Sequence, residues 1–250
     1  MTGPRIALIA DVHGNRWALE AVLADIERHR CDLVINAGDC VYGPLDPSGT
    51  AELLMNLTPH AVRGNQDRIL LDRTGTYGDT HSFVVDSLTE TQLTWFGLLP
   101  SSKVVDRILV VHGTPQSDTH YLLERVTTDG LVVPATAAEA VEQTGSVDAD
   151  LLVCGHSHLP RMMQLPSGLL CINPGSVGLP AYRSDDPVDH RMESGSPHAR
   201  YAVATRRNGG WDVSFQALDY PWTEAAETAR TLGRPDWRTW LTTGRTDEDG

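Results

Sequence analysis

The sequence predicts an α/β fold in which short buried strands alternate with helices. Apolar runs of about four to six residues recur along the chain, and segments with apolar residues at helical spacing separate them. The opening strand–helix–strand rhythm requires a parallel, right-handed crossover. With 250 residues, of which 40% are hydrophobic and 21% charged, the chain also has the length and composition of a globular protein with a substantial core.

The first hundred residues begin with the clearest unit. Residues 5–10 are an apolar run, residues 15–29 carry apolar side chains at helical spacing, and residues 32–37 are a second apolar run. Thr89 is a typical helix N-cap and Pro100 a typical residue just past a helix end. The elements predicted here are strand 5–10, helix 15–29, strand 32–37, helix 50–57, strand 59–63 and helix 89–99, with a polar surface excursion over residues 72–87.

Turn signals organise the rest of the chain. Pro166-Ser167-Gly168 and Asn208-Gly209-Gly210 each separate two apolar runs, which predicts two hairpins. The predicted elements are strands 104–106 and 108–111, helix 135–143, strand 150–154, hairpin strands 162–165 and 169–172, hairpin strands 201–205 and 211–217, helix 224–232 and a tryptophan-bearing segment 237–241. Residues 1–242 are expected to form one domain, with a mobile loop at 183–199 and a polar tail at 243–250. The C-terminal tryptophans are expected to pack on the core, with a dimer contact as the alternative.

Charge and cysteine usage exclude some classes of protein. Twenty basic and 33 acidic side chains give a net charge of −13, which argues against general nucleic-acid or membrane binding because both need basic surface. No apolar run approaches the ~20 residues of a membrane span, and the N-terminal apolar run is too short for a signal peptide. The four scattered cysteines indicate reduced thiols, so a cytoplasmic location is expected. The oligomeric state is not predicted.

Six of the predicted strands end in small clusters of polar residues. The clusters are Asp11-Val12-His13-Gly14-Asn15, Gly38-Asp39, Gly64-Asn65-Gln66-Asp67, His112-Gly113, Gly155-His156-Ser157-His158 and Asn173-Pro174-Gly175-Ser176. Ligands of α/β proteins bind beyond the carboxyl ends of the strands, so these clusters are expected to converge at one edge of the sheet.

The residue types in these clusters are metal ligands. Carboxylate, imidazole and amide groups without thiolate suit Mn²⁺, Fe or Zn²⁺. The candidate ligands are Asp11, His13, Asp39, Asn65, His112, His156 and His158. Seven ligands are too many for one catalytic ion but fit two ions that share a carboxylate. Enzymes use two metal ions ~3.5–4 Å apart to catalyse in-line displacement at phosphorus. Cys40 is expected to be a packing residue. The remaining histidines are expected to be mostly solvated surface residues: His29, His60, His81, His120, His190 and His198.

In this order the motifs resemble the signature of the calcineurin-like metallophosphoesterase superfamily, which is Asp-x-His, Gly-Asp, Gly-Asn-His-Asp/Glu, His-Gly and Gly-His-x-His. The resemblance spans residues 5 to about 182. Val41-Tyr42-Gly43-Pro44 and Asn173-Pro174-Gly175-Ser176-Val177-Gly178 are similar to the small bacterial and archaeal branch that includes YfcE-like proteins. The resemblance implies two facing mixed β-sheets flanked by helices, a four-layer αββα sandwich, and a metal-dependent phosphoric ester hydrolase.

The resemblance also implies roles for individual residues. Asp11, His13 and His158 would bind one divalent ion, Asn65, His112 and His156 would bind a second, and Asp39 would bridge both. Mn²⁺ is favoured, with Fe, Zn²⁺ or Ni²⁺ as alternatives, and a hydroxide between the ions would be the nucleophile. Asp39, Asn65 and His112 are the expected catalytic residues, and Asn15, Asn65 and Gln66 the expected substrate-binding residues. Asp67 would not bind an ion itself but would hold the ligands in position, for example by orienting a ligand histidine.

One departure from the family pattern bears on the substrate. Gln66 replaces the histidine that is commonly proposed to protonate the leaving group, and an amide cannot deliver a proton at neutral pH. A small phosphodiester with a good leaving group is therefore the expected substrate, with a phosphomonoesterase or protein phosphatase, or a non-catalytic scaffold, as alternatives. Substrate choice is expected in residues 72–87 and 183–199, where Arg73 or Arg183 would meet a phosphate or lie solvated at the surface.

Overall fold

A computed structural model describes residues 3–57, 60–72 and 74–247. Its elements in chain order are β1 (Arg5–Ile9), α1 (Arg16–His29), β2 (Leu33–Asn36), α2 (Pro47–Leu57), α3 (Asn65–Leu70), α4 (Asp79–Ser87), α5 (Glu90–Leu98), β3 (Ser102–Val105), β4 (Ile108–Val111), β5 (Glu124–Val126), β6 (Val132–Pro134), α6 (Ala137–Thr144), β7 (Leu151–Val153), β8 (Arg161–Gln164), β9 (Leu170–Asn173), β10 (Ala181–Ser184), β11 (His190–Glu193), β12 (Ala199–Arg207), β13 (Gly210–Leu218), α7 (Trp222–Thr231) and α8 (Pro235–Thr243).

The larger strands form two sheets across the described ranges. The first sheet has the order β13-β12-β1-β2, with β1 and β2 parallel and the hairpin strands antiparallel. The second has the order β3-β4-β7-β9-β8, in which β4, β7 and β9 run parallel. Parallel strands bring their carboxyl ends to a common edge, and the polar clusters follow these strands.

Alternating side chains of the two sheets meet in a shared core. Leu8 of β1 and Val110 of β4 are fully buried in the cluster between the sheets. On the outer face of the first sheet, Ile9 and Tyr201 pack against α1, α2, α7 and α8. On the outer face of the second sheet, Leu152 packs near Ala140 of α6. The order helix, sheet, sheet, helix confirms the predicted four-layer fold.

The N-terminal half differs from the expectation in two segments. Of the predicted strand 59–63, the described residues form only a bridge between Ala61 and Asn36, because the chain leaves the sheet to begin α3. The predicted excursion 72–87 contains α4, whose buried Val84 packs on the outer helical layer. A short helix with few apolar side chains gave little periodicity to detect.

The segment predicted as a mobile loop, residues 183–199, instead contributes to β10 and contains β11, which pair with each other antiparallel. In β11, His190 and Met192 are buried while Arg191 is exposed, so one face of the hairpin packs inward. The polar residues that suggested a loop occupy its turn and its outer face. The predicted tail also begins inside α8, and Gly244 and Thr246 hydrogen-bond to Gly195 and Glu193. Residues 248–250 lie outside the described residues.

The remaining predicted helices and both hairpins are confirmed, with small shifts of their ends. Trp237, for which packing was expected, is 3% exposed in the outer core. Among the described residues, no helix combines the length and the apolar character needed to cross a membrane.

Candidate metal centre

The predicted metal-binding side chains lie in loops at one edge of the sandwich. Asp11 and His13 follow β1, Asp39 follows β2, Asn65 opens α3, His112 follows β4, and His156 and His158 follow β7. Within the described residues, six of them form two groups, each with its candidate ligand atoms within 4.8 Å of one another.

The first group contains Asp11, His13 and His158, all buried. The Nε2 atoms of His13 and His158 lie 3.1 Å apart, and His158 Nε2 lies 3.5 Å from Asp11 Oδ1. These atoms converge although 145 residues separate the two histidines. This is the set of residues that the family resemblance implies for one ion.

The second group contains Asp39, His112 and His156. His112 Nε2 lies 3.3 Å from Asp39 Oδ2 and 3.0 Å from Asn65 Oδ1, so Asn65 joins this group as the sequence predicted. The second predicted set of ligands is therefore also brought together.

Asp39 lies between the two groups. Its Oδ2 atom is 3.3 Å from His112 Nε2 and 3.8 Å from His13 Nε2. Its other oxygen, Oδ1, accepts a hydrogen bond from the Gln66 backbone N–H at 2.9 Å. One oxygen is thus fixed by the start of α3, and the other is directed toward both groups.

The histidine rings are oriented by backbone carbonyls. The Nδ1–H groups of three rings donate to carbonyl oxygens: His13 to Tyr42 at 2.8 Å, His112 to Ala37 at 2.8 Å and His158 to Leu179 at 2.6 Å. With Nδ1 protonated, neutral His13 and His158 present Nε2 lone pairs to each other, which is repulsive unless a cation lies near both. The donor set and its orientation fit a divalent metal ion.

His156 uses the opposite ring nitrogen. Its Nε2–H faces the Thr119 carbonyl at 3.0 Å, which leaves Nδ1 for a metal ion. Its ring stacks on Tyr121 with a centroid distance of 4.8 Å, and its backbone N–H donates to Asp11. A hydrogen bond at the ring edge and stacking on the ring face therefore fix the orientation of this imidazole.

Burial and neighbouring charges shift the pKa values of the ionisable side chains at this edge. Burial raises the pKa of Asp11 to about 8, with a further contribution from Asp39 and opposition from His112. Burial would also raise the pKa of Asp39, but the charge and hydrogen bond of His112 outweigh it and lower that pKa. Burial disfavours a charged His112, yet Asp39 and Asp11 raise its pKa to about 10. A protonated His112 thus balances the ionised Asp39 in the ion-free chain, and a divalent ion would displace that proton.

Candidate ligands adopt backbone conformations that residues with a Cβ rarely adopt. The φ angles are 54° at Asp11, 52° at His13, 54° at Asp39, 70° at His156 and 61° at His158. Each such residue costs on the order of 1–3 kcal/mol, and such strain concentrates at functional sites. Each loop thus turns sharply just beyond its strand, which directs the side chain toward the common edge.

Asn65 and Gln66 begin α3 beside this edge. Gly64 precedes them, and a Cβ there would overlap the Asp39 carboxylate, so glycine is required for the close approach. The Gln66 side chain lines a cavity next to the ligand groups, and its Oε1 is buried without a hydrogen-bond partner among the described residues. Gln66 is therefore a cavity residue whose buried amide oxygen has an unmet capacity to accept a hydrogen bond.

Comparison with known families agrees with this geometry. The model of the calcineurin-like phosphoesterase superfamily domain matches residues 5–189. The chain belongs to the calcineurin-like phosphoesterase superfamily. The predicted family and the predicted class of enzyme, a phosphoric ester hydrolase of the metallophosphoesterase type, are thereby confirmed.

Individual relatives of this phosphoesterase are distant. An uncharacterized protein of Methanocaldococcus jannaschii is 27% identical over 206 residues, which is 72% of this chain and 79% of that protein. The structure is similar to a metallophosphoesterase from Sphaerobacter thermophilus, with 27% identity, a TM-score of 0.75 and coverage of 96% of this chain and 98% of that one. It also shares its fold with a proposed diadenosine tetraphosphatase, at 20% identity and a TM-score of 0.51 over 85% of this chain and 94% of that one.

The structure gives Asn15 a different role from the predicted contact with substrate. In the phosphoesterase its Oδ1 caps α1 by accepting from the Ala18 backbone N–H at 3.1 Å. Its Nδ2 donates to the Gly178 carbonyl and to Tyr220 Oη, at 2.8 and 3.0 Å, and the residue is fully buried. Asn15 therefore fixes the helix start and the loop after β9.

Asp67 supports the site, but not through a histidine. Its carboxylate accepts hydrogen bonds from the backbone N–H groups of Cys40 at 2.9 Å and Gly64 at 3.0 Å. These residues flank Asp39 and Asn65, so one buried carboxylate joins the two loops. Burial, with Asp39 nearby, raises the pKa of Asp67 to about 6. The side chain of Cys40 is buried, as expected, and receives a hydrogen bond from Asn36.

Replacing Asp67 with asparagine is expected to destabilise the phosphoesterase by about 1–3 kcal/mol, because an amide cannot accept from both backbone donors and leaves one unsatisfied. The free energy of unfolding in urea measures this loss. Asp212→Asn is the matched control, since Asp212 is exposed and pairs with Arg207 at the end of β13 that is far from the ligand loops. Equal stability of the two variants would contradict a joining role for Asp67.

Several residues near the site carried no signal in the sequence. Tyr182 Oη lies 2.8 Å from the His156 carbonyl and 3.0 Å from Tyr121 Oη, and Tyr121 Oη lies 2.8 Å from His190 Nε2. His190 is 2% exposed, so its expected surface position is wrong. This network supports His156 from residues that lie up to 35 positions away in sequence, which local motifs cannot reveal.

The two segments expected to choose the substrate contribute unequally. Arg183 lines the cavity beside the ligand groups and pairs with Asp189 at 2.6 Å. Arg73 lies outside the described residues. Residues from α8 also line the cavity, although no sequence motif placed them at the site.

Proposed function

We propose that this protein is a dinuclear metal-dependent phosphoesterase that hydrolyses a small phosphodiester. The observation that carries the proposal is the convergence of two buried ligand groups on Asp39, whose Oδ2 lies within 3.8 Å of a histidine Nε2 from each group. Two adjacent ions are the arrangement that suits in-line displacement at phosphorus. The mixture of carboxylate, amide and imidazole donors suits Mn²⁺, Fe or Zn²⁺, and we favour Mn²⁺ among them.

Some of these residues would bind the metal ions, and others would contact the substrate. Asp11, His13 and His158 would hold one ion, His112, His156 and Asn65 the other, and Asp39 would contact both. When bound, the ions would supply an acidified water as nucleophile and polarise the phosphoryl oxygens. Asn65 directs its Oδ1 toward His112, so its Nδ2–H group is left to donate to a phosphoryl oxygen. Gln66 can hydrogen-bond to the leaving-group oxygen from the adjoining cavity wall.

The balance of charge supports an anionic substrate in an acidic protein. Asp11 and Asp39 carry −2 when ionised, and two divalent ions would bring +4, so the local balance is positive although the chain as a whole carries −13. The acidic surplus outside the site disfavours long polyanions more than small phosphoesters. General nucleic-acid binding is therefore not part of the proposal.

Gln66 favours a diester with an acidic leaving group over an alkyl monoester. An amide stabilises the departing oxygen by a hydrogen bond but cannot protonate it at neutral pH, so departure must depend on the low pKa of the leaving group. The scaffold alternative is disfavoured because every predicted ligand position keeps a metal-binding side chain.

The test is metal reconstitution followed by a substrate comparison. Protein stripped with EDTA and reloaded with Mn²⁺ should bind about two ions per chain by elemental analysis. It should then hydrolyse bis(4-nitrophenyl) phosphate much faster than ethyl phosphate, and the stripped protein should hydrolyse neither. A clear preference for ethyl phosphate would refute the diester assignment. Absence of both metal and hydrolysis after reloading would instead favour the scaffold.

A further inference from the structure

The cavity beside the ligand groups has an aromatic lining that a distant part of the chain completes. It has a volume of about 220 Å³, and candidate ligands such as His13 and Asp39 line it together with Gln66. Its aromatic lining includes Tyr42 and Tyr182, together with Trp240 from α8. α8 lies beyond residue 189, where the match to the family model ends.

α8 is fixed in place against the ligand loops. The Trp237 ring packs against Gly43, where any Cβ would collide with the indole, and lies edge-on to His13 at a centroid distance of 6.1 Å. At the helix start, Arg234 donates to Asp236 at 2.6 Å and to Thr80 Oγ1 at 2.6 Å. Packing and hydrogen bonds therefore hold α8 in position as one wall of the cavity.

Trp240 lies one turn beyond Trp237, and residues three apart share a helix face. Both tryptophans line the cavity, but Trp237 is buried whereas Trp240 is half-buried. Trp237 thus anchors the helix, and Trp240 presents a ring to whatever enters the cavity beside the ligand groups.

Charge is largely compensated among the residues of the aromatic lining. Arg183 pairs with Asp189, and Arg234 pairs with Asp236, so the guanidinium groups are matched by carboxylates. The side chains of Tyr42, Tyr182 and Trp240 add no formal charge to this lining. Flat, neutral rings favour a flat apolar group over a second phosphate.

We infer that this cavity is a specificity subsite for a flat aromatic group, such as a single aryl ring or a nucleobase, carried by the phosphoester and contacted by Trp240. The position of the phosphoryl group beside the ligand sets rests on the proposed function. The volume is below the ~300–1,000 Å³ of sites for drug-sized ligands, which fits a single ring system.

The test compares two phosphonates that differ only in the group on phosphorus. Binding of phenylphosphonate and methylphosphonate to Mn²⁺-loaded protein is measured by calorimetry, which does not require turnover. Phenylphosphonate should bind wild-type protein about tenfold or more tightly than methylphosphonate, since stacking on one aromatic side chain supplies about this factor. Trp240→Ala should abolish most of that preference and leave methylphosphonate binding unchanged, and Trp240→Phe should retain part of it.

Trp211→Ala is the control, because Trp211 lies at the β12–β13 turn, at the end of the sheet opposite the ligand loops. It should keep the full preference. Equal binding of the two phosphonates by wild-type protein, or an unchanged preference in folded Trp240→Ala, would overturn the aromatic subsite even if phosphodiester hydrolysis is observed. A preference for phenylphosphonate without any hydrolysis would support the subsite and refute the proposed function.

Discussion

Replacing Asp39 with asparagine is expected to remove both metal ions together and to lower kcat/KM for a phosphodiester at least about 10³-fold. The reason is the position of Oδ2, 3.3 Å from His112 of one group and 3.8 Å from His13 of the other. Loss of this single negative charge weakens both ion sites, and metal ions contribute several kcal/mol to stabilising the transition state. A residue that belonged to one group alone would affect one ion only.

The variant is chosen so that the fold survives. Asparagine keeps the shape of the side chain, and its Oδ1 can still accept from the Gln66 N–H that now donates to Asp39 at 2.9 Å. Elemental analysis gives the number of ions per chain, and steady-state kinetics gives kcat/KM, with Asp212→Asn as the control. Retention of one tightly bound ion in Asp39→Asn would contradict the bridging position.

The fold was predictable where short-range patterns determine it. Apolar strands such as β1 are buried on both faces from Ile6 to Ile9, and turn signals such as Asn208-Gly209-Gly210 mark real hairpins. The facing arrangement of the two sheets came from the family resemblance, because periodicity alone does not say which faces pack together. The β10–β11 hairpin was missed because polar residues in its turn and on its outer face concealed buried residues at alternate positions, such as His190 and Met192.

The candidate ligands were predictable for a different reason. Each directly follows a strand or opens a helix. Because parallel strands end at the same edge of a sheet, local motifs that follow them can be placed near one another from the sequence. Trp240 follows no such rule, since its distance from Tyr42 along the chain is about two hundred residues and only packing of α8 brings them to one cavity. The left-handed φ angles at Asp11 and Asp39 also had no local signal, because glycine is the usual residue in that conformation and both positions carry a Cβ.

Replacing Gln66 with histidine is expected to raise hydrolysis of ethyl phosphate by about 10²-fold while changing hydrolysis of bis(4-nitrophenyl) phosphate little. General acid catalysis contributes about 10²–10⁴-fold where the leaving group needs a proton, and 4-nitrophenolate leaves without one. The position suits an acid because the backbone N–H of Gln66 is fixed on Asp39 and its side chain lines the cavity beside the ligand groups.

The pH dependence identifies the cause of any gain. An imidazole with a pKa near its ordinary ~6.5 donates its proton only below that value, so the added activity toward ethyl phosphate should fall as pH rises through it. Gln66→Asn is the matched control, since it keeps an amide and should show neither the gain nor the new pH limb. If metal-loaded, folded Gln66→His hydrolyses ethyl phosphate no faster than the wild type at pH 6, then position 66 does not reach the leaving group, and the preference for acidic leaving groups must have another origin.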